Sequence, residues 1–404
     1  MTYIADKKDG NGNSLVAFGD SPSIDAFGRL RVSEPYTQFD SHFEYDRQDT
    51  RWLHSATGTA TATHLPNESS VKMVLGTEPG ALVRRYTRTR FRYQPGKSLQ
   101  IFETFCFNGT KIGVSQRVGY FDNQNGVFLE LDGETINMVR RTYTNGSVVN
   151  NKVAKASWNI DPMDGTGPSG VTLDFTKAQI WVADLEWLGV GRCRLGFVVD
   201  GAIYYAHEFL NANTLDVVYM TTANLPLTYE MENSICASSS TSMIQICSTV
   251  ISEGGFNPQG FIRSADNDVN EIAVGTAAFV PILSIRLKSA YSKAQLQPLK
   301  VDVLGKTANF YMHYEVRVRG TLTSASFSAA STAVEYDTVA SALTGGDLIA
   351  SGYIDPGGGT TFSVIPEDIP LTSDGTNTDI LTIQGRGIGG TVSAVASVMW
   401  REIW

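Results

Sequence analysis

The chain has 404 residues, 42% of them hydrophobic and only 18% charged, with 38 glycines. Its 41 acidic and 32 basic side chains leave a net charge of −9, which argues against a general nucleic-acid binder, a class that needs a basic footprint. The aromatic content of 10% is enough to build a core and argues against disorder.

Apolar runs such as Ala278 to Leu283 are far shorter than the ~18–20 residues of a membrane-spanning helix. The opening MTYIADKKDG lacks the apolar stretch of a secretory signal. Four cysteines (Cys106, Cys193, Cys236, Cys247) without CxxC spacing are neither a disulfide framework nor a zinc site. A hairpin closed at SSSTS would still leave Cys236 and Cys247 about 10 Å apart. Free thiols, made in a reducing cytosol, are expected.

Residues 1–35 are rich in Gly, Asp and Ser and read as an extended N-terminal arm. Residues 50–80, rich in Thr, Ser and Gly, read as long loops or weak strands. From Tyr86 onward the pattern alternates with period two and turns recur every 8–12 positions, the spacing of a sandwich or barrel. In SLQIFETFCF, the residues Leu99, Ile101, Phe105 and Phe107 share a face. Asn-Gly and Asp-Gly turns bound GVFLELDG. The clearest strands are AQIWVADLEW, GRCRLGFVV and AIYYAHEF, and no convincing helix pattern occurs, although FLNANTLDVVY has room for one or two turns. Gly254-Gly255 is the best domain boundary. Beyond it, FVPILSIRL, LKVDVL, FYMHYEVRV and SAVASVMWREIW read as a second, smaller β-sandwich.

The region 178–208 permits a register. Opposed residues share a face, so the apolar sets Trp181/Ala183/Leu185/Trp187 and Cys193/Leu195/Phe197/Val199 must meet, which requires an odd loop. A three-residue loop Gly189–Gly191 pairs Trp187 with Cys193 and Glu186 with Arg194. The Asp200-Gly201 turn then pairs Val199 with Ala202, Phe197 with Tyr204, Gly196 with Tyr205, and Arg194 with His207. The outer face thus carries a polar row of Asp184, Glu186, Arg194, Tyr205 and His207. Such a row serves as cross-strand ion pairing, as a subunit interface, or as a glycan-binding face.

In VRRYTRTRFRYQPGK a continuous strand places Arg84, Arg88, Arg90 and Arg92 on one face. This is expected to be an interface where their guanidiniums meet a neighbour's carboxylates, with a solvated face or a phosphate contact as the competing readings. The loop Asp161–Gly167 offers two carboxylates without EF-hand spacing, and reads as a β connector in preference to a calcium site. No Ser–His–Asp arrangement, HExxH or phosphate-binding glycine motif stands out. No cofactor, metal ligand set or catalytic residue is assigned.

The fragments GVFLELDGETI, LDFTKAQIWVADLEW and RLGFVVDGAIYYAHEF resemble the concanavalin-like lectin/glucanase jelly roll. The glucanase branch carries three acids in an E-x-D-x-E pattern. Here those positions are Val182, Asp184 and Glu186, so the first acid, the family's nucleophile, is missing. Retaining hydrolysis needs two carboxyls about 5–5.5 Å apart, and the resemblance therefore implies fold without glucanase activity. A longer set of strings, DAFGRLRVSEPYTQFDSHFEYD, RFRYQPGKS, RVGYFDNQNGVFLEL, HEFLNAN and STVISEGGF, resembles a family of tailed-bacteriophage virion proteins, of marine-phage type and mostly without an assigned role.

These readings combine into an all-β chain: an arm (1–35), a concanavalin-like antiparallel jelly-roll sandwich (36–255) and a smaller C-terminal β-sandwich (256–404). The resemblance implies a non-enzymatic virion structural protein, made in the host cytoplasm. Its partners would be other virion proteins and copies of itself, a trimer being favoured, with no nucleic acid and no membrane. A tail- or fibre-associated exterior position is expected. Capsid decoration or a head fibre, and a host-glycan receptor-binding module using the polar row, are the alternatives.

Overall fold

The computed structural model describes residues 23–32, 34–257, 259–267, 270–364, 371–373 and 378–403. Most of the expected arm, residues 1–22, lies outside them. Among the described residues the regular structure is β-strand with short 3-10 turns and no α-helix, so the chain is all-β. It divides into two compact units. The first comprises the residues up to Thr87 together with Phe91–Phe256; the second comprises Arg88–Arg90 and the residues from Asn257 onward.

The strands of the first unit are β1 (Tyr36–His42), β2 (Trp52–Ala56), β3 (Thr61–Leu65), β4 (Ser70–Leu75), β5 (Leu82–Thr87), β6 (Leu99–Phe107), β7 (Val114–Phe121), β8 (Gly126–Asp132), β9 (Thr135–Thr142), β10 (Val149–Ala154), β11 (Gln179–Leu185), β12 (Cys193–Val199), β13 (Ala202–Phe209), β14 (Leu227–Asn233) and β15 (Thr241–Ser252). One sheet runs β13-β12-β11-β6-β15-β4-β3, with β1 also on β15, and the other runs β10-β9-β8-β7-β14-β5-β2. Every pairing is antiparallel, and the chain crosses between the sheets as a jelly roll does. The inward faces meet in one core. Ile101, Phe105, Trp181, Leu195 and Phe197 come from the first sheet; Val118, Tyr120, Leu129, Tyr229 and Met231 come from the second. At one end Trp52 is ringed by Phe39, Phe43 and Tyr229 at 6.0, 6.1 and 5.9 Å between centroids.

Two expectations are corrected. The Thr- and Ser-rich stretch 50–80 forms three regular strands, β2 to β4, because Trp52, Ala62, Val71, Met73 and Leu75 fall where the core needs them. SSSTS closes no hairpin, because β14 and β15 belong to opposite sheets; Cys236 and Cys247 are free, as are Cys106 and Cys193. FLNANTLDVVY does give a single turn, as expected: Leu215 N–H donates to the Asn211 carbonyl at 3.0 Å. The inward face of β6 also carries Glu103 between Ile101 and Phe105. It is fully buried, neither carboxylate oxygen has a hydrogen-bond partner, and burial raises its pKa well above the usual carboxyl range.

The second unit contains β16 (Phe261–Asp266), β17 (Ile272–Val274), β18 (Val280–Leu287), β19 (Gln295–Gly305), β20 (Tyr311–Val318), β21 (Thr321–Thr323), β22 (Ser328–Ala329), β23 (Val334–Asp337), β24 (Ala342–Thr344), β25 (Asp347–Ile354), β26 (Gly359–Ser363), β27 (Ile380–Ile388) and β28 (Val392–Ile403). The sheets β16-β28-β19-β26, with β17 on β28, and β22-β23-β18-β27-β20-β25 enclose a second core; β21 and β24 form a separate ribbon. Val301, Val303, Val398 and Trp400 from one sheet pack with Ile282, Ile285, Val316 and Ile383 from the other.

Candidate functional site

The β11–β12–β13 patch is where the sequence places its polar row. Trp181 pairs with Phe197, Ala183 with Leu195, and Leu185 with Cys193, so the apolar sets face each other. The loop, however, is two residues longer than expected. Glu186 N–H donates to the Arg192 carbonyl at 3.0 Å and Gly191 N–H to that of Trp187 at 2.7 Å, leaving Trp187–Gly191 as the loop. Leu188 and Gly189 both take positive φ, 36° and 82°. Tyr219 N–H donates to the Gly189 carbonyl at 2.9 Å and anchors the loop. An odd loop of five preserves the faces but slides the register by two, so Arg194 lies opposite Asp184 and the expected Glu186–Arg194 pair does not form.

The following hairpin turns at Asp200-Gly201, both with positive φ (52° and 80°), and pairs Val199 with Ala202, Phe197 with Tyr204 and Gly196 with Tyr205. A bulge then intervenes, so Leu195 meets His207 and Arg194 meets Glu208. Gly196 is required here: a Cβ would lie 2.2 Å from the Tyr204 carbonyl oxygen. The bulge removes His207 from the polar row. Its ring packs edge-on against Phe209 at 4.6 Å, and its Nδ1 accepts the Asn159 N–H at 3.3 Å. Burial lowers its pKa to about 4.

The structure brings Asp184, Arg194 and Tyr205 together and adds three residues that the sequence did not single out, Arg31, Ser98 and Glu253. Asp184 is fully buried. Its Oδ1 accepts Ser98 Oγ at 2.5 Å; its Oδ2 accepts Arg194 Nη2 at 2.5 Å, Tyr205 Oη at 2.9 Å, and Arg31 Nη2. Arg31 Nη1 reaches Glu253 Oε1 at 2.6 Å, which balances two carboxylates against two guanidiniums. Arg194 also lies 4.1 Å over the Tyr205 ring. Burial alone would lower the pKa of Arg31, but Asp184, Tyr205 and Glu253 outweigh it and hold it above its ordinary value. Burial and the adjacent Asp184 raise that of Tyr205.

The cover of this cluster is a short stretch of the chain itself. Residues Asp25–Arg29 fold into a tight turn in which Asp25 Oδ1 accepts the N–H groups of Phe27 and Arg29, both at 2.9 Å, and Gly28 takes φ 79°. An Ile24–Leu30 bridge closes it. This strap is held by Arg194 Nη2 on the Ile24 carbonyl (2.7 Å), Arg31 Nε on the same carbonyl (3.2 Å) and Arg192 Nε on that of Ala26 (3.2 Å). Glu186 stays at the margin, half-buried, where desolvation raises its pKa against the pull of Arg192. Val182 is fully buried and apolar.

The arginine row is also corrected. β5 ends at Thr87, so Arg88, Arg90 and Arg92 do not continue the face of Arg84. Arg84 Nε pairs with Glu230 Oε2 at 2.5 Å. Glu230 Oε1 is held by Arg117 at 2.5 Å, which binds Glu130 at 2.8 Å, and Glu130 meets Lys152 at 2.6 Å. An ion ladder therefore crosses β5, β14, β7, β8 and β10 within one chain. Arg88 pairs with Asp379 at 3.3 Å, the Arg90 carbonyl accepts Gln295 Nε2, and burial lowers the pKa of half-buried Arg92. The carboxylates that meet Arg84 and Arg88 thus belong to this chain and not to a neighbour.

In the 161–167 loop, Asp161 accepts the N–H groups of Met163 (2.7 Å) and Ser169 (2.8 Å), and Asp164 accepts N–H and Oγ1 of Thr166 (2.9 and 2.6 Å). The carboxylates serve the turn itself. Among the described residues no group of three or more His, Cys, Asp or Glu is placed to hold a metal ion.

No family model matches the chain, and no curated protein matches it. Solved structures that resemble it include a protein of unknown function from Shewanella oneidensis MR-1 (8% identity, TM-score 0.38, covering 56% of this chain and 91% of that one). Others are a glycosyl hydrolase family protein from Mycobacterium fortuitum (12%, 0.37, 53% and 99%) and a beta-1,3-glucanase from Mycobacterium marinum (11%, 0.37, 53% and 98%).

Proposed function

We propose that this chain is a non-enzymatic structural component of a bacteriophage virion, an exterior protein of the tail or its fibres, assembling through its N-terminal arm and its sandwich faces. The non-enzymatic half of the reading rests on one observation. The carboxylate at the centre of the polar row, Asp184, accepts four donors and lies beneath residues 24–31, while Val182 stands where a second acid would be needed. Both of its oxygens are engaged by this chain's own donors beneath that cover and are not presented to a substrate. The same cover argues against the row as an open glycan site.

The virion half is supported by the resemblance of strings such as DAFGRLRVSEPYTQFDSHFEYD and STVISEGGF to tailed-phage virion proteins. Exposed apolar side chains at the β11–β12 loop and the segment after β13, Leu188 (51%), Leu210 (57%) and Val217 (60%), supply surface of the kind that assembly contacts cover. Capsid decoration or a head fibre is the alternative address. Gold-labelled antibody on purified phage particles tests the reading. Label on the particle supports it, and antigen found only in the soluble lysate fraction overturns it. A copy number on the order of hundreds would select decoration, and about a dozen or fewer the tail.

A further inference from the structure

The outer face of the six-stranded sheet in the second unit carries a row that neither the polar cluster nor the ion ladder absorbs. β20 lies between β25 and β27, and His313 is opposite Tyr353 on one side and Arg386 on the other. The His313 ring stacks on Tyr353 (4.7 Å between centroids, 26° between planes), and Phe279, one residue before β18, packs edge-on to it at 5.0 Å. The Arg386 guanidinium lies 5.0 Å over Phe279. Tyr311 stands one outward position along β20, opposite Ile388. The alternate residues Met312 and Tyr314 point into the core, which fixes the row on the outside. Tyr353 is 70% exposed and Tyr311 50%.

The acids along this face are Glu315 on β20 and the exposed Asp355, two residues beyond Tyr353. Glu315, the nearest acid along β20, is buried and already bound by Arg317 Nε at 2.7 Å and Gln384 Nε2 at 2.8 Å. Arg386 forms no ion pair with any described residue. The patch therefore presents exposed ring faces beside a guanidinium that lies over Phe279 and has no ion-pair partner among the described residues. Ring faces accept the C–H edges of a pyranose, and a guanidinium pairs with a carboxylate in a bidentate manner. One cation in a chain of net charge −9 is poorly suited to a phosphate backbone, whose binding depends on many cations.

We propose that the Tyr311–His313–Tyr353–Arg386 patch binds an acidic polysaccharide, with the rings stacking on sugar faces and Arg386 holding a uronate carboxylate. The assignment does not depend on the virion reading. The test is electrophoresis of the full chain through native gels containing sodium polygalacturonate, neutral dextran or oligothymidylate, at about 0.15 M salt to screen long-range charge. Polygalacturonate is expected to retard the protein and dextran is not. Tyr353→Ala and Arg386→Gln should each weaken the retardation by about tenfold in apparent affinity, with Arg386→Lys recovering part of it. Unchanged thermal melts would verify that the variants fold. Absence of retardation by polygalacturonate, equal retardation by dextran or oligothymidylate, or folded variants that bind like the parent would each overturn the proposal.

Discussion

The guanidinium of Arg31 closes on the carboxylate of Asp184, 153 residues further along the chain, and in doing so ties the strap to the sheet. Its second nitrogen reaches Glu253, just beyond β15. Removing Asp184 leaves Arg31 and Arg194 buried without their shared anion, so Asp184→Ala is expected to cost about 3–5 kcal/mol in urea unfolding. Arg31→Ala should cost less, because its side chain lies nearer solvent than that of Arg194. The two losses should be less than additive, with a coupling of about 0.5–3 kcal/mol. Hydrogen exchange at the Asp25 and Arg31 amides, which are bonded within the strap, should rise in both variants. Strict additivity would mean that the strap is held elsewhere.

Glu103 gives a pH signature of the opposite sense to acid denaturation. Its folded pKa lies well above the unfolded value, so the stability it permits is fully present below the unfolded pKa and is lost as pH rises toward the folded one. Between those limits the parent should lose about 1.4 kcal/mol per pH unit from this group alone. Glu103→Gln cannot ionise. Its stability advantage over the parent should widen as pH rises above the ordinary carboxyl range in denaturant melts, and a gap that does not change with pH would show that Glu103 does not titrate on unfolding.

His207 acts in the other direction. Burial holds its folded pKa at about 4, against an ordinary value near 6.5, so the neutral ring is favoured in the fold. Its contribution is present above the unfolded pKa and is lost as pH falls from about 6.5 toward 4. Protonation would also remove the Nδ1 acceptor for Asn159 N–H. His207→Gln should flatten the stability profile across that window, and amide exchange at Asn159 should accelerate in the parent below pH 5.

The ion ladder predicts a large cost at its centre. Arg117 binds Glu130, Glu230 and Glu232, two of them buried. Arg117→Leu is expected to destabilise the chain by about 3–5 kcal/mol. Arg84→Leu should cost less, because Arg117 still holds Glu230. Equal losses would show that the ladder is not centred on β7.

The strand pattern was legible where apolar alternation was clean. Trp181, Ala183 and Leu185 had to face Leu195, Phe197 and Cys193, and parity alone required an odd loop. Its length was not legible, because Gly189-Val190-Gly191 suits a three-residue loop, whereas the Glu186–Arg192 backbone pair and the Tyr219 anchor favour five residues. The Ala206–His207 bulge left no signal of its own, since a period-two reading passes straight through it. Three of the six residues in the polar cluster, Arg31, Ser98 and Glu253, come from distant segments, and no local spacing connects them. Arg88–Arg90 continued the alternation of β5 on paper, but the strand ends at Thr87.

We propose that the Asp184 cluster fastens residues 24–31 to the sheet and performs no chemistry on sugars. The most direct measurement is release of reducing ends from soluble β-1,3- and β-1,4-glucans by the purified full chain. The account predicts none above a protein-free blank. Turnover that disappears in a folded Glu186→Gln variant would contradict it.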